Sequence, residues 1–117
     1  MESPLSSRVP RSQFTTGIRK REPIDRVGPV IRGDGHSLIR LYYFTELRDM
    51  NGETVTHRWE YEGKVASSVR FKVGADHWRV YSNKGLSPSM TGHWKVAVID
   101  SRGNPIADDQ FAYEGPE

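Results

Sequence analysis

Cations and aromatic rings at alternate positions are the plainest chemistry in this sequence. Arg58 and Glu60, Arg70 and Lys72, and Arg79 and Tyr81 are each two residues apart. That spacing sends side chains to one face of a strand. If the three strands that carry them are neighbours, these six side chains project from a single sheet face. Lys84 then follows in the next loop, and Tyr42 extends the set. Long cationic stems beside aromatic rings suit an anionic glycan, a lipopolysaccharide phosphate or a protein partner. The same pattern also reads as a solvated face that discourages edge pairing.

Catalytic chemistry is harder to assemble. Glu46, Glu60, Glu62, Asp108 and Asp109 supply carboxylates, but a glycosidase needs two of them facing each other across a cleft, and nothing in the spacing places two so. There is no nucleophile elbow, phosphate loop or metal-ligand run. Histidines stand at 36, 57, 77 and 93. No two are i, i+2 on a strand or i, i+4 on a helix, so no local metal clip exists. The expectation is a chain that is not an enzyme and uses no metal or cofactor. His57 falls on the inward side of its segment, as a neutral hydrogen-bonded core histidine or as a ligand contact. His77 and His93 point outward by parity. The segment Val69-Arg70-Phe71-Lys72-Val73 is not the aromatic strand of an RNA-recognition fold, and a net charge of +2 gives no reason to expect nucleic acid.

Strands must position these groups. Ser12–Ile18 is rich in Phe, Thr and Ile and reads as a first strand. Gly28, Pro29, Gly33 and Gly35 then mark a long irregular connection. Period-two alternation follows, with Ile39, Leu41, Tyr43 and Leu47 on one face, then Val55, His57, Trp59 and Tyr61, then Val65, Ser67, Val69, Phe71 and Val73. Further strands are expected over Trp78–Ser82, Trp94–Asp100 and Ala107–Tyr113, with room for one helical turn near Ser87–Met90. Asn51-Gly52 is the strongest hairpin signal, and Glu62-Gly63 is a second turn. About seven short strands with turn residues between them predict an all-β, antiparallel β-sandwich of immunoglobulin-like type.

The three tryptophans, Trp59, Trp78 and Trp94, fall on three different strands and on their apolar faces. They form either the core or an exposed sugar-stacking platform. Pro23 keeps Glu22 out of a helix and is expected to end the first strand. Glu22 and Asp25 then either clamp arginines such as Arg58 or Arg79, or face a ligand together.

The bulk numbers fit one domain. The chain has 117 residues, 35% hydrophobic, 27% charged and 10% aromatic, with no cysteine. That aromatic content argues against disorder, and the missing cysteines remove disulfides, thiolate zinc sites and a cysteine nucleophile. Residues 1–33 hold seven Lys/Arg against three Asp/Glu, either a solvated basic segment or a docking site for an acidic surface. The expected organisation is a flexible segment over 1–10, a sandwich over 11–114 and a tail over 115–117. No run of about 18 apolar residues is present, so the chain is not expected to span a membrane. Its start lacks the pattern of a signal peptide.

Several blocks, in order, carry a resemblance. These are Phe14-Thr15-Thr16, Arg21-Glu22-Pro23-Ile24-Asp25, Tyr43-Phe44-Thr45-Glu46-Leu47, Thr56-His57-Arg58-Trp59-Glu60-Tyr61 with Gly63, Trp78-Arg79-Val80-Tyr81-Ser82 with Lys84, and Gly92-x-Trp94-x-Val96 with Asp100-x-x-Gly103. From Arg11 to Tyr113 the chain resembles a bacterial family called domain of unknown function 2914. The resemblance implies a soluble domain at the end of longer, often membrane-anchored envelope proteins, and hence a periplasmic or extracytoplasmic place. It brings no activity. The reading is a non-catalytic binding module of the bacterial envelope that docks a protein partner or another domain of its parent. The alternative is a carbohydrate-binding module for an envelope or extracellular polysaccharide.

Overall fold

The computed structural model describes residues 7–116. Its strands, in chain order, are β1 (Arg11–Thr15), β2 (Ile18–Arg19), β3 (Glu22–Pro23), β4 (Val30–Arg32), β5 (Ile39–Arg48), β6 (Thr54–Tyr61), β7 (Lys64–Lys72), β8 (His77–Leu86), β9 (Gly92–Ile99) and β10 (Pro105–Glu114). A single 3-10 turn spans Pro88–Met90. The seven longest strands are the seven that the sequence predicts. The long irregular connection supplies the three short ones.

Two sheets pack face to face. One has the order β1-β5-β8, the other β4-β10-β9-β6-β7, and β2-β3 form a small separate ribbon. Every pairing is antiparallel except β4, which runs parallel to β10. The apolar faces meet in one core whose large side chains are Phe14, Tyr43, Trp59, Trp94 and Phe111. Phe14 sits among Tyr43, Trp59 and Phe111, with ring centroids 5.0, 6.3 and 4.9 Å away. It thus joins the first strand to both sheets.

Several expectations are corrected. Asn51-Gly52 does not make a hairpin. Gly52 takes φ +88 in a turn closed by the Glu53 N–H on the Met50 carbonyl, but β5 and β6 enter different sheets. Leu47, Met50 and Val55 are all buried here, so the turn wraps the end of the core. Glu62-Gly63 does close a true hairpin, β6-β7, with φ 50 and 82. Val65, expected inward, is 61% exposed. A register shift between Trp59 and Glu60 places it opposite Glu60, and one extra residue in a strand reverses every side chain beyond it. Pro23 lies in β3, and β1 already ends at Thr15.

Residues 1–6 of the segment expected to be flexible, and residue 117 of the tail, lie outside the described residues. Within 7–10, Val9 is fully buried in the core and the Arg8 carbonyl accepts from the Arg48 N–H. Packing therefore starts before Arg11. Among the described residues no helix is long and apolar enough to cross a membrane.

Candidate functional site

The predicted surface residues divide between two opposite faces. β6 and β7 are neighbours, but β8 belongs to the other sheet. Arg58, Glu60, Arg70 and Lys72 therefore project from the five-stranded sheet. Tyr42, Arg79 and Tyr81 project from the three-stranded one. Lys84 is not in a loop. It lies in β8 opposite Leu41, on the inward parity of an edge strand.

On the three-stranded face, register lines the side chains up in rows. Arg11, Glu46 and Arg79 form one, Gln13, Phe44 and Tyr81 the next, and Thr15, Tyr42 and Asn83 a third. The first row is a closed ionic cluster. Glu46 is buried and accepts from Arg11 Nε at 2.6 Å, while His77 Nε2 lies 3.1 Å from its other oxygen. Glu22 comes down from the β2-β3 ribbon, taking Arg11 bidentately at 3.0 and 3.0 Å and Arg79 at 2.6 Å. Bidentate guanidinium pairs of this kind fix orientation as well as charge. Hydrogen bonds from Arg11, then Arg79, hold the Glu22 carboxyl down at about 2. Burial alone would raise Glu46, but the hydrogen bond and charge of Arg11, with His77, outweigh it and leave the carboxyl below its usual range. The Arg11 guanidinium also lies 5.0 Å over the Phe44 ring, which is fully buried although its parity is outward. A shallow depression of ≈ 150 Å³ remains among Arg11, Glu22, Glu46, His77 and Arg79.

Glu22 thus clamps Arg79, as one expectation has it, and also Arg11, which the sequence reading missed. Asp25 does not clamp an arginine. It accepts from the Thr15 and Thr16 hydroxyls and the Thr16 N–H, and these bonds lower its carboxyl. Arg58 pairs with Glu60 at 2.9 Å.

Beyond the cluster the face changes character. Tyr81 is 42% exposed and Tyr42, its diagonal neighbour, is half-buried. Beside them Arg40 donates to Asn83 Oδ1 at 2.6 Å. Arg40 and Asn83 were not singled out from sequence, though their parity with Tyr42 and Tyr81 was there to be read. The opposite face carries Arg70 opposite Thr56 and Lys72 opposite Thr54, with Lys72 Nζ on the Gly52 carbonyl.

Trp59 and Trp94 are fully buried, and Trp78 is a half-buried flank of the core, so the core reading of the tryptophans holds and the platform of exposed tryptophans does not form. His57 is buried between the sheets, 2.9 Å from Thr45 Oγ1 and 2.7 Å from Ser82 Oγ. Ser82 Oγ also accepts from Trp59 Nε1 at 3.0 Å. Burial pushes the imidazole down to about 3. The Ser82–His57 contact resembles a nucleophile–base pair in distance only, since both residues are closed off from solvent. Asp109 forms a second polar link, accepting from Ser12 Oγ and the Tyr43 hydroxyl. No cluster of three or more His, Asp or Glu suited to a metal ion occurs among the described residues.

Comparison with known proteins adds two findings. The model of a family described as "Protein of unknown function (DUF2914)" matches residues 52–113, more than half of the chain. An immunoglobulin-like protein from Pseudomonas aeruginosa superposes with a TM-score of 0.53 at 8% identity, over 88% of this chain and 91% of that one. At that identity the likeness speaks for an immunoglobulin-like β-sandwich fold and nothing further. No curated protein matches.

Proposed function

Because the chain belongs to the DUF2914 family, whose description assigns no chemistry, we propose its role from its surface: a non-catalytic interaction module of the bacterial envelope that docks a protein partner through the outer face of β1-β5-β8. The observation that carries this reading is the exposed Tyr81 beside Tyr42 and the Arg40–Asn83 pair. Tyr and Arg are enriched among the residues that dominate protein interfaces, Tyr for its large rigid ring and Arg for its fork of hydrogen-bond donors. Arg79 and Arg11 are already engaged with Glu22 and Glu46, so they frame the surface and hold it rigid. The envelope location rests on the family resemblance.

The test is capture of a partner from envelope extract, followed by measured affinity of variants. Tyr81→Ala and Arg40→Ala are each expected to weaken binding at least about tenfold, the range of an interface hot spot. Arg70→Ala and Lys72→Ala, on the opposite face, are expected to leave it unchanged. The reverse pattern would move the site to the five-stranded sheet.

One observation favours the polysaccharide reading. Two tyrosines beside a guanidinium and an amide are the mixture of stacking surface and hydrogen-bond donors that a sugar ring uses. A glycan array separates the two readings. Docking of a protein predicts a blank array, and binding to one glycan class that Tyr81→Ala abolishes would replace it.

A further inference from the structure

Among the described residues the sandwich has one long sheet edge with no bulge, proline or covering strand. At the ends of the two sheets lie β1, β8, β4 and β7. β4 is three residues long. The outer side of β1 is occupied, since the Val27 N–H donates to the Phe14 carbonyl and Gln13 Nε2 to the Asp25 carbonyl. β7 carries the bulge opposite Trp59 and Glu60, and exposed Lys64, Arg70 and Lys72. Short length, cover, bulges and cations are the means by which proteins keep edges from pairing. β8 has none of the first three. It pairs with β5 over ten consecutive residues without a register shift and contains no proline.

The free backbone groups can be named. The Arg48 N–H points away from β8, to the Arg8 carbonyl, whereas the Asp49 N–H reaches the Asp76 carbonyl next to β8. Alternation in an antiparallel ladder then directs the N–H and C=O groups of His77, Arg79, Tyr81, Asn83 and Gly85 away from β5. Among the described residues none of these groups has another backbone partner.

We infer that β8 pairs with β8 of a second copy of this chain, antiparallel about a two-fold axis at Tyr81, joining two three-stranded sheets into one of six strands. This register engages all five edge-facing residues, whereas shifting the axis by one residue loses one of them. It sets Tyr81 opposite Tyr81 of the second copy, Arg79 opposite Asn83, and His77 opposite Gly85, over which Leu38 and Arg40 of that copy lie. On the inward side it sets Val80 opposite Ser82 and the half-buried Trp78 opposite Lys84, an indole facing an ammonium. The two cations of the strand, Arg79 and Lys84, lie on opposite faces and do not oppose each other; Arg79 is neutralised by Glu22 of its own copy where it approaches the Arg40–Asn83 pair of the other. A partner of the same sequence therefore offers a matching backbone group to each of the five edge-facing residues. The inference does not depend on what the outer face binds. It predicts only that this face is presented twice, side by side.

The experiment uses the full chain, which lacks cysteine. Sedimentation of the wild type from micromolar to millimolar loading is expected to show a monomer–dimer equilibrium. Tyr81→Lys, which opposes two ammonium groups across the axis, is expected to remain monomeric. In a glutathione redox couple, Tyr81→Cys is expected to form a disulfide dimer at least about tenfold faster than Arg79→Cys. In the proposed register the paired Tyr81 Cα atoms would be about 5.5 Å apart, within disulfide reach. The Arg79 Cα atoms would be separated by roughly four strand residues, about 13 Å. A wild type that stays monomeric throughout overturns the inference. So does a dimer that survives Tyr81→Lys, or equal cross-linking of the two cysteine variants.

Discussion

His57 shows how one buried side chain sets a pH dependence. Its neighbours are neutral: the hydroxyls of Thr45 and Ser82 at its nitrogens and the rings of Tyr43 and Phe71 in T-shaped contact with it. Burial takes its pKa from an ordinary 6.5 down to about 3. Below pH 6.5 the unfolded chain binds a proton that the folded chain refuses. The stabilisation is complete above 6.5 and is lost as pH falls toward 3, at a limiting slope of about 1.4 kcal/mol per pH unit. His57→Gln keeps a donor and an acceptor but cannot titrate. It is expected to cost about 1–3 kcal/mol at neutral pH through imperfect hydrogen bonding, with the deficit shrinking as pH drops from 6.5 toward the carboxylate range. Urea unfolding of both proteins at several pH values checks this, and a pH-independent difference would mean that the imidazole titrates alike in both states. Ser82→Ala should be worse at neutral pH, because it strips a partner from both His57 and Trp59. The inward parity of His57 was legible in its alternation with Val55 and Trp59. Its two hydroxyl partners were not, since Thr45 and Ser82 come from the other sheet.

The β2-β3 ribbon is an element with little core of its own. Its apolar Ile24 is exposed, and what holds it over the sheet is Glu22 on Arg11 and Arg79, with Asp25 on Thr15 and Thr16. The tip, Arg19-Lys20-Arg21, is exposed and includes two residues at φ 52 and 65. Glu22→Gln is expected to speed tryptic cleavage at this tip severalfold, because local opening governs access. Arg48→Ala, which removes an arginine bonded to Glu46 but not to the ribbon, should leave the rate unchanged. Equal rates in all three proteins would mean that the ribbon is held by other contacts. Glu22 and Glu46 are both depressed below their ordinary 4.5, so the clamp's contribution is present above that pH and is lost as pH falls through the lowered values. Strand existence and turn chemistry were legible at this scale, as Glu62-Gly63 and the seven predicted strands show. The bulge that turns Val65 outward was not, because nothing in Val65-Ala66-Ser67 marks Ala66 as an inserted residue. The exact reach of each strand was equally hidden, and Lys84 was read as loop for that reason.

Strand order decides which residues share a face, and spacing does not encode it. Arg58, Arg70 and Arg79 have the same local pattern, yet the passage from β7 to β8 crosses between sheets and carries Arg79 to the far side. The predicted stripe therefore exists as two half-stripes, and only the tyrosine-bearing half lies beside the open β8 edge. What unites the two sheets is the aromatic interlock centred on Phe14, which reaches Tyr43 in one sheet and Trp59 and Phe111 in the other. Phe14→Ala is expected to lower stability by about 3–5 kcal/mol, the cost of removing a buried phenyl and leaving a cavity, a large part of the roughly 5–15 kcal/mol typical of a domain. Because the ring touches both sheets, the loss should fall on the whole molecule and not on β1 alone. Tryptophan emission, which reports Trp59 and Trp94 between the sheets, and far-ultraviolet circular dichroism, which reports the strands, should then shift together to the same lower denaturant midpoint with an unchanged slope. A variant whose two signals separate, with the emission changing first, would show that the sheets part before they unfold and that Phe14 anchors only its own strand.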